Sequence, residues 1–300
     1  MKKRIFYFNV TYSCNSNCVF CYSHNTWHNS RPHNEIEKEE LFVYLNKHNV
    51  GENDRVIING GEPLLHKEIE AILLGLISYN CEVLVYTNGR LLVNHDFSML
   101  TDKFRFVIPI HGYETIHDNI TGVQGSYQET IQGLKYLVEN SICKVDVKLI
   151  LNNEIIANDP KGLKTIEGFE QNVVFNNAIH LTKMADTVIS LKNNCKPISN
   201  DTAAYYLNIF YEYFKKRNFL IKIFDTCVYA LDEIKNREMV PIQKEITVYF
   251  KDKNMFKILE LTRSHQKCMD NCPYFDKCKS AVDEYTVLEI HNNNIYENLE

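Results

Sequence analysis

The sequence predicts a parallel α/β fold, and two observations carry the prediction. Apolar runs of strand length alternate with amphipathic helical stretches from residue 4 to about residue 185, which is the pattern of repeated βαβ units. The residues richest in chemistry also fall directly after strands: Cys14–Cys21, Asn59–Pro63, Thr87–Gly89 and His111 follow the first four in turn. In parallel sheets and barrels ligands gather at the carboxyl ends of the strands, so these four loops are expected on one rim. Periodicity alone leaves an open sheet and a barrel as equal alternatives.

Each element has its own signal. Arg4–Val10 reads as the first strand, and the polar stretch His24–His33 as surface. A helix is expected over Glu35–Lys47, with Leu41, Tyr44 and Leu45 on one face. Asp54–Ile58 is the second strand. His66–Tyr79 is an amphipathic helix with Ile69, Ile72, Leu73 and Leu76 at i, i+3, i+4 and i+7. Glu82–Tyr86 is the third strand, followed by a helix around Asp96–Thr101; Phe104–Ile110 is the fourth. The polar segment His111–Gly125 reads as a long loop. Ser126-x-x-Glu129 has the form of a capping box opening a helix with Tyr127, Ile131, Leu134 and Val138 on its apolar face. Val145–Leu151 is the fifth strand, Asp159–Gln171 a helix, and a sixth strand lies within Asn172–Leu181. Lys192–Asn200, polar and holding Pro197, marks a boundary between residues 1–195 and 196–300. Beyond it Asp201 is expected to cap a helix Thr202–Lys216 whose face is Ala203, Leu207, Phe210 and Phe214, and Phe219–Phe224 reads as a strand leading to Cys227.

Bulk properties narrow the function. With 300 residues, 45% hydrophobic and 24% charged, the chain suits a large domain plus a smaller one. A formal net charge of −5 gives no basic footprint, so nucleic acid is not an expected partner. The apolar run after Met1–Arg4 is too short for a signal peptide, and no run is long enough to span a membrane. A cytoplasmic location is expected, and there ten cysteines mean metal ligation before disulfides. Cys81 and Cys143, each just before a strand, read as small buried thiols.

Cys14, Cys18 and Cys21, spaced C-x3-C-x2-C, place three thiolates around one small centre. Such a set holds zinc, with His24 as a fourth ligand, or an iron–sulfur cluster with one iron left open. The next strands choose between them. The second ends in Asn59-Gly60-Gly61-Glu62-Pro63 and the third in Thr87-Asn88-Gly89. The cysteine motif with Phe20 before its third cysteine, the Gly-Gly-Glu-Pro loop and the Thr-Asn-Gly turn, in this order, resemble the radical S-adenosylmethionine (SAM) superfamily. That resemblance implies a partial (β/α)6 barrel of the TIM type. It implies a [4Fe-4S] cluster on Cys14, Cys18 and Cys21, with SAM chelating the open iron and cleaved to a 5′-deoxyadenosyl radical that abstracts hydrogen from a substrate. It further implies that Gly60, Gly61 and Glu62 receive the SAM amine, that Phe20 and Tyr22 contact the adenine, and that Asn88 reaches the ribose or carboxylate. Paired glycines allow close backbone approach to an ammonium, and a carboxylate supplies the counter-charge.

A second cysteine group, Cys268, Cys272 and Cys278, lies near the end of the chain. It resembles the auxiliary-cluster segment of the SPASM/Twitch radical SAM subgroup, although its first gap is three residues where that pattern has two. With Cys227 as fourth ligand it implies one auxiliary iron–sulfur cluster in a small C-terminal domain; Cys195 is a distant fifth cysteine, and zinc fits four thiolates equally well. The region His111–Ser280 is broadly similar to maturases of ribosomally made peptides (RiPPs), including those of His-Xaa-Ser systems. A peptide substrate is therefore expected, with flavodoxin or ferredoxin as electron donor. Thirteen residues before Cys14 leave no leader-binding domain expected ahead of the barrel. A radical SAM dehydrogenase of a small molecule, and a non-catalytic zinc- or Fe-S-binding regulatory protein, are the two alternatives.

Overall fold

A computed structural model describes residues 4–21, 35–184, 193, 195, 198–215, 220–224, 246–248, 255–262 and 284–291. Strand β1 (Ile5–Thr11) pairs in parallel with β2 (Arg55–Gly60), and the series continues in chain order through β3 (Glu82–Tyr86), β4 (Phe104–Pro109), β5 (Lys144–Leu151), β6 (Ala178–Lys183) and β7 (Leu220–Phe224). On the other side of β1 lies β8 (Ile246–Val248), also parallel, then β9 (Met255–Thr262) and β10 (Glu284–His291), which are antiparallel. The sheet does not close: β7 and β10 are its two edges. The result is an open, partial TIM-type arrangement in which every parallel strand delivers its carboxyl end to the same rim.

Helices α1 (Lys38–Lys47), α2 (Ile69–Leu76), α3 (Thr115–Thr121), α4 (Ser126–Asn140), α5 (Asn153–Asn158), α6 (Leu163–Asn172) and α7 (Asn200–Lys215) lie between the strands in sequence. Alternate strand residues face them. Phe6, Phe8 and Val10, Val56 and Ile58, Val83 and Val85, Phe106 and Ile108, and Val145, Val147 and Leu149 form one buried cluster with the apolar helix faces. The expected faces of α2 and α7 are buried as read, as are the thiols of Cys81 and Cys143.

The opposite face of the sheet is different. Ile5, Ile57 and Leu84 form a small apolar group with Tyr7 and Tyr86 packed on it. Beside it runs a row of charges. Arg55 pairs with Glu82 (2.8 Å), Glu82 with Arg105 (3.6 Å), Arg105 with Asp146 (3.0 Å), and Asp146 with His180 (2.6 Å). Asp146 is fully buried and also accepts from the Ala178 amide and from Asn177. Buried carboxylates persist only with such saturation of their oxygens.

Several expectations are corrected. Residues 96–101 form turns and not a helix, because Asp96 accepts the Ser98 amide in a local turn that competes with helix. The first helix begins at Lys38, and Glu35 instead accepts from the Thr11 hydroxyl. His66 stands outside α2, its ring on the Ile36 carbonyl, and Ile77–Tyr79 is a 3-10 turn. Helix α7 begins at Asn200, so Asp201 lies inside it, and Ser199 accepts the Thr202 amide. The segment read as the loop His111–Gly125 contains α3.

The capping box is replaced by a longer-range cap. Gly125 is the N-cap of α4 and no N-cap side chain caps it. Asp118 of α3 accepts from the Gly125 and Tyr127 amides (2.7 and 2.8 Å) and from the Ser126 hydroxyl (2.9 Å), while Glu129 pairs with Arg90. Burial pushes the Asp118 carboxyl upward, but these donors outweigh it and hold it below its ordinary value. Asp118→Ala is therefore expected to cost about 2 kcal/mol, and Glu129→Ala under about 1 kcal/mol because the Glu129 side of its ion pair with Arg90 is half exposed. The Asp118 contribution is present above about pH 4 and fades as pH falls through the lowered folded value. Denaturant unfolding of the two variants at pH 7 and pH 3.5 measures both differences; equal costs at pH 7 would restore the capping box.

Candidate active site

Four loops meet at the carboxyl rim, and the first is built on the next. The Gly61 amide donates to the Thr11 carbonyl (2.9 Å) and the Glu62 amide to the Ser13 carbonyl (2.7 Å). This zipper needs glycine. A Cβ on Gly60 would overlap the Thr11 carbonyl oxygen, and one on Gly61 the Ser13 carbonyl oxygen; Gly60 also has φ +151°. The pair thus lets the cysteine loop lie against the second loop, a demand separate from approach to a ligand.

Glu62 is fully buried and joins the second loop to the third. Its Oε1 accepts from the Leu64 amide (3.0 Å) and the Thr87 hydroxyl (2.6 Å), and its Oε2 from the Asn88 amide (2.7 Å). Burial still dominates and raises the carboxyl above its ordinary value, with the three donors opposing it. A carboxylate in that condition gains from a cation nearby.

The third turn grips the first loop. Asn88 Nδ2 donates to Asn15 Oδ1 (2.6 Å), and Arg90 donates to the Asn15 carbonyl and the Ser16 hydroxyl. From the other side the Asn17 and Val19 amides donate to the Thr121 and Ile120 carbonyls of α3 (2.8 and 2.9 Å). The sequence reading missed Arg90 and this seat on α3. Arg90 had a usable signal, a cation one residue past the turn motif, whereas the seat lay inside a segment read as loop.

Within this frame Cys14, Cys18 and Cys21 are free thiols, half-buried as residues. Burial pushes Cys14 up to about 11, with the charges of Glu62 and Cys21 adding to it. Cys18 is pushed up further by burial and by Cys21 and Cys14, and Arg90 opposes both shifts. Among the described residues no three His, Cys, Asp or Glu side chains form a set that could hold a single metal ion. Three thiols on one loop, whose ionised forms repel one another beside a guanidinium, are nonetheless a donor set suited to a thiolate-ligated cluster, whose positive irons would offset that repulsion. The residues fit such a group.

Phe20 packs edge-on against His111 (centroids 5.1 Å apart) at the end of β4. His111 is buried, its amide donates to His117 Nδ1 (3.1 Å), and its own Nδ1 has no partner among the described residues. Burial holds His111 well below, and His117 at about 4 against, the ordinary histidine value, so both rings are neutral at pH 7. Cys195 is packed away against Met184 sulfur (3.8 Å). Tyr22, His24, Cys227, Cys268, Cys272 and Cys278 lie outside the described residues.

Residues 8–154, which carry all four loops, match the family model of the radical SAM superfamily. The chain belongs to the radical SAM superfamily. It is 28% identical over 137 residues to an AdoMet-dependent heme synthase of Methanosarcina barkeri, covering 45% of this chain and 39% of that protein. It is 26% identical over 139 residues to the sporulation killing factor maturation protein SkfB of Bacillus subtilis, covering 44% and 32%. The matches therefore span about a third to two fifths of those relatives. In fold it is similar to Streptococcus suis SuiB in the crystal structure with precursor peptide SuiA, with TM-score 0.60, 14% identity, and 84% of this chain and 58% of that one covered. Among the described residues no helix is long and apolar enough to cross a membrane.

The Glu62 geometry yields a test. Glu62→Gln replaces one acceptor by a donor facing other donors, so metal-free protein is expected to lose about 2–3 kcal/mol of stability. Chemical unfolding of metal-free wild type and variant measures it; an unchanged midpoint would mean that Glu62 serves a ligand alone.

Proposed function

We propose that this chain is a radical SAM enzyme that modifies a peptide. The observation that carries the reading is the meeting of the cysteine loop, the Gly-Gly-Glu-Pro loop and the Thr-Asn-Gly turn on one rim, locked together through Glu62, Asn88 and Arg90. Cys14, Cys18 and Cys21 would hold a [4Fe-4S] cluster, which with SAM bound would supply the reducing electron for SAM cleavage and hence the hydrogen-abstracting radical. The chain's own part is to hold, orient and shield. The Gly60 and Gly61 carbonyls and the Glu62 charge receive the SAM amine; Phe20 and Tyr22 border the adenine. Asn88 is tied to Asn15 here, and that favours a share in fixing the cysteine loop beside any contact with ribose or carboxylate.

The peptide substrate is supported by the likeness to SkfB, named for maturation of the sporulation killing factor, and to SuiB, which has been crystallised with its precursor peptide. Heme synthase appears among the relatives as well, so likeness of the core supports the shared chemistry more than any one substrate. Residues 196–300 are proposed as a Twitch/SPASM-like region whose Cys227, Cys268, Cys272 and Cys278 hold one auxiliary cluster, with flavodoxin or ferredoxin as electron donor.

Two experiments test this. Anaerobically prepared protein should form 5′-deoxyadenosine from SAM, and Cys14→Ala, Cys18→Ala and Cys21→Ala should each abolish it. The triple variant should keep about four irons and four sulfides; stoichiometric zinc without iron would assign the C-terminal cysteines to a structural metal. Co-expression with short peptides encoded beside the gene should change a peptide's mass, or its deuterium content in heavy water if it is epimerised. If none changes while a small alcohol is oxidised with SAM consumed, the substrate is a small molecule.

A further inference from the structure

Arg90 is the first residue beyond the Thr-Asn-Gly turn, and its backbone is fixed before its side chain is used: its amide donates to Asn88 Oδ1 (3.0 Å). The side chain then crosses to the cysteine loop. Its Nη1 donates to the Asn15 carbonyl and to the Ser16 hydroxyl (3.2 Å), while its Nε pairs with Glu129 of α4 (2.5 Å). The arginine side chain is 11% exposed and that of Glu129 50% exposed. Water therefore screens the carboxylate more than the guanidinium, and the pair keeps a positive field on the side that faces the loop.

The peptide that Arg90 holds is also one that addresses a sulfur. The Asn15 carbonyl and the Ser16 amide belong to a single planar peptide group. Arg90 donates to its oxygen, and its N–H donates to Cys14 Sγ (3.4 Å). A cation on the oxygen polarises the group and strengthens the N–H as a donor, because hydrogen bonds in a chain reinforce one another. The Arg90 charge also acts directly on Cys14 and Cys18. One side chain thus reaches the first thiol by two routes, through a peptide and through space.

We propose that Arg90 sets the reduction potential of the cluster on Cys14, Cys18 and Cys21, as a positioning residue that holds a positive charge and a polarised amide against the first thiolate. The inference rests on the cluster reading above and deepens it by naming what tunes the cluster. Uptake of one electron, from the flavodoxin or ferredoxin proposed as donor, makes the cluster more negative by one charge. A fixed cation and a donor to sulfur both favour the more negative state, so both raise the potential. Glu129 acts with the opposite sign. It is the counter-ion of the guanidinium, so removing its charge leaves the cation less compensated and raises the potential further. A neutral brace in the place of Arg90 would hold the loop without either effect.

The test uses the full chain, reconstituted anaerobically with iron and sulfide. Electron paramagnetic resonance follows the reduced-cluster signal that changes when SAM is added, which separates it from a cluster on the C-terminal cysteines. Wild type, Arg90→Met, Arg90→Lys and Glu129→Gln are titrated with dithionite, and iron and sulfide counts check that loading is equal. At the wild-type midpoint, Arg90→Met is expected to lower the ratio of reduced to oxidised cluster at least about threefold, a fall of about 30 mV at roughly 59 mV per tenfold for one electron. Arg90→Lys is expected to recover part of the loss, and Glu129→Gln to raise the ratio above wild type. An unchanged ratio in Arg90→Met, or an unchanged or lowered ratio in Glu129→Gln, overturns the proposal. If Arg90→Met takes up no iron, the Glu129→Gln titration decides alone, since a mere brace predicts no rise there. A wild-type protein without a SAM-responsive signal takes the cluster reading and this inference down together, whereas a normal signal with equal midpoints throughout removes this inference alone.

Discussion

The arrangement of the rim depends on one carboxylate. Glu62 sits at the junction of the second and third loops, wholly out of water, and takes hydrogen bonds from both. Burying an ion of this kind has an effective penalty of several kcal/mol, and hydrogen bonds to charged groups return about 1.5–3 kcal/mol each. The two sides nearly balance, and the upward shift of its carboxyl says that burial is the larger. The site is therefore held by a group that the fold alone does not fully satisfy. Everything else at the rim, from the zipper of Gly61 and Glu62 amides to the grip of Asn88 and Arg90 on the cysteine loop, is referred to the position of that side chain.

The sheet divides its labour by face. The helical side is apolar throughout, as a parallel sheet covered by helices requires. The other side carries the small apolar group of Ile5, Ile57 and Leu84 with Tyr7 and Tyr86 packed on it, beside a row of charged side chains. Signs alternate along Arg55, Glu82, Arg105 and Asp146, and His180 closes the row with a hydrogen bond to Asp146, so the chain of partners crosses five strands.

Much of this was legible in the sequence because it is local. Strands made of alternating apolar residues, and motifs placed directly after them, specify the parallel order and the rim. One error comes from preferring a local cap to a distant one. Ser126-x-x-Glu129 has the right spacing for a capping box, but Asp118, eight residues earlier, reaches the same amides with a full charge. The helix that carries Asp118 is only seven residues long, too short for apolar periodicity to reveal. Glu62 was rightly singled out, yet its bonds to Thr87 and Asn88 cross 25 and 26 residues, and no local pattern encodes them.

The glycine zipper has a consequence for the life of the protein in air. The cysteine loop is moored by protein atoms on both sides: by Gly61 and Glu62 amides, by Asn88 and Arg90, and by the carbonyls of Ile120 and Thr121. None of these bonds passes through a sulfur atom. Loss in air of whatever the three thiols hold thus breaks none of these bonds directly.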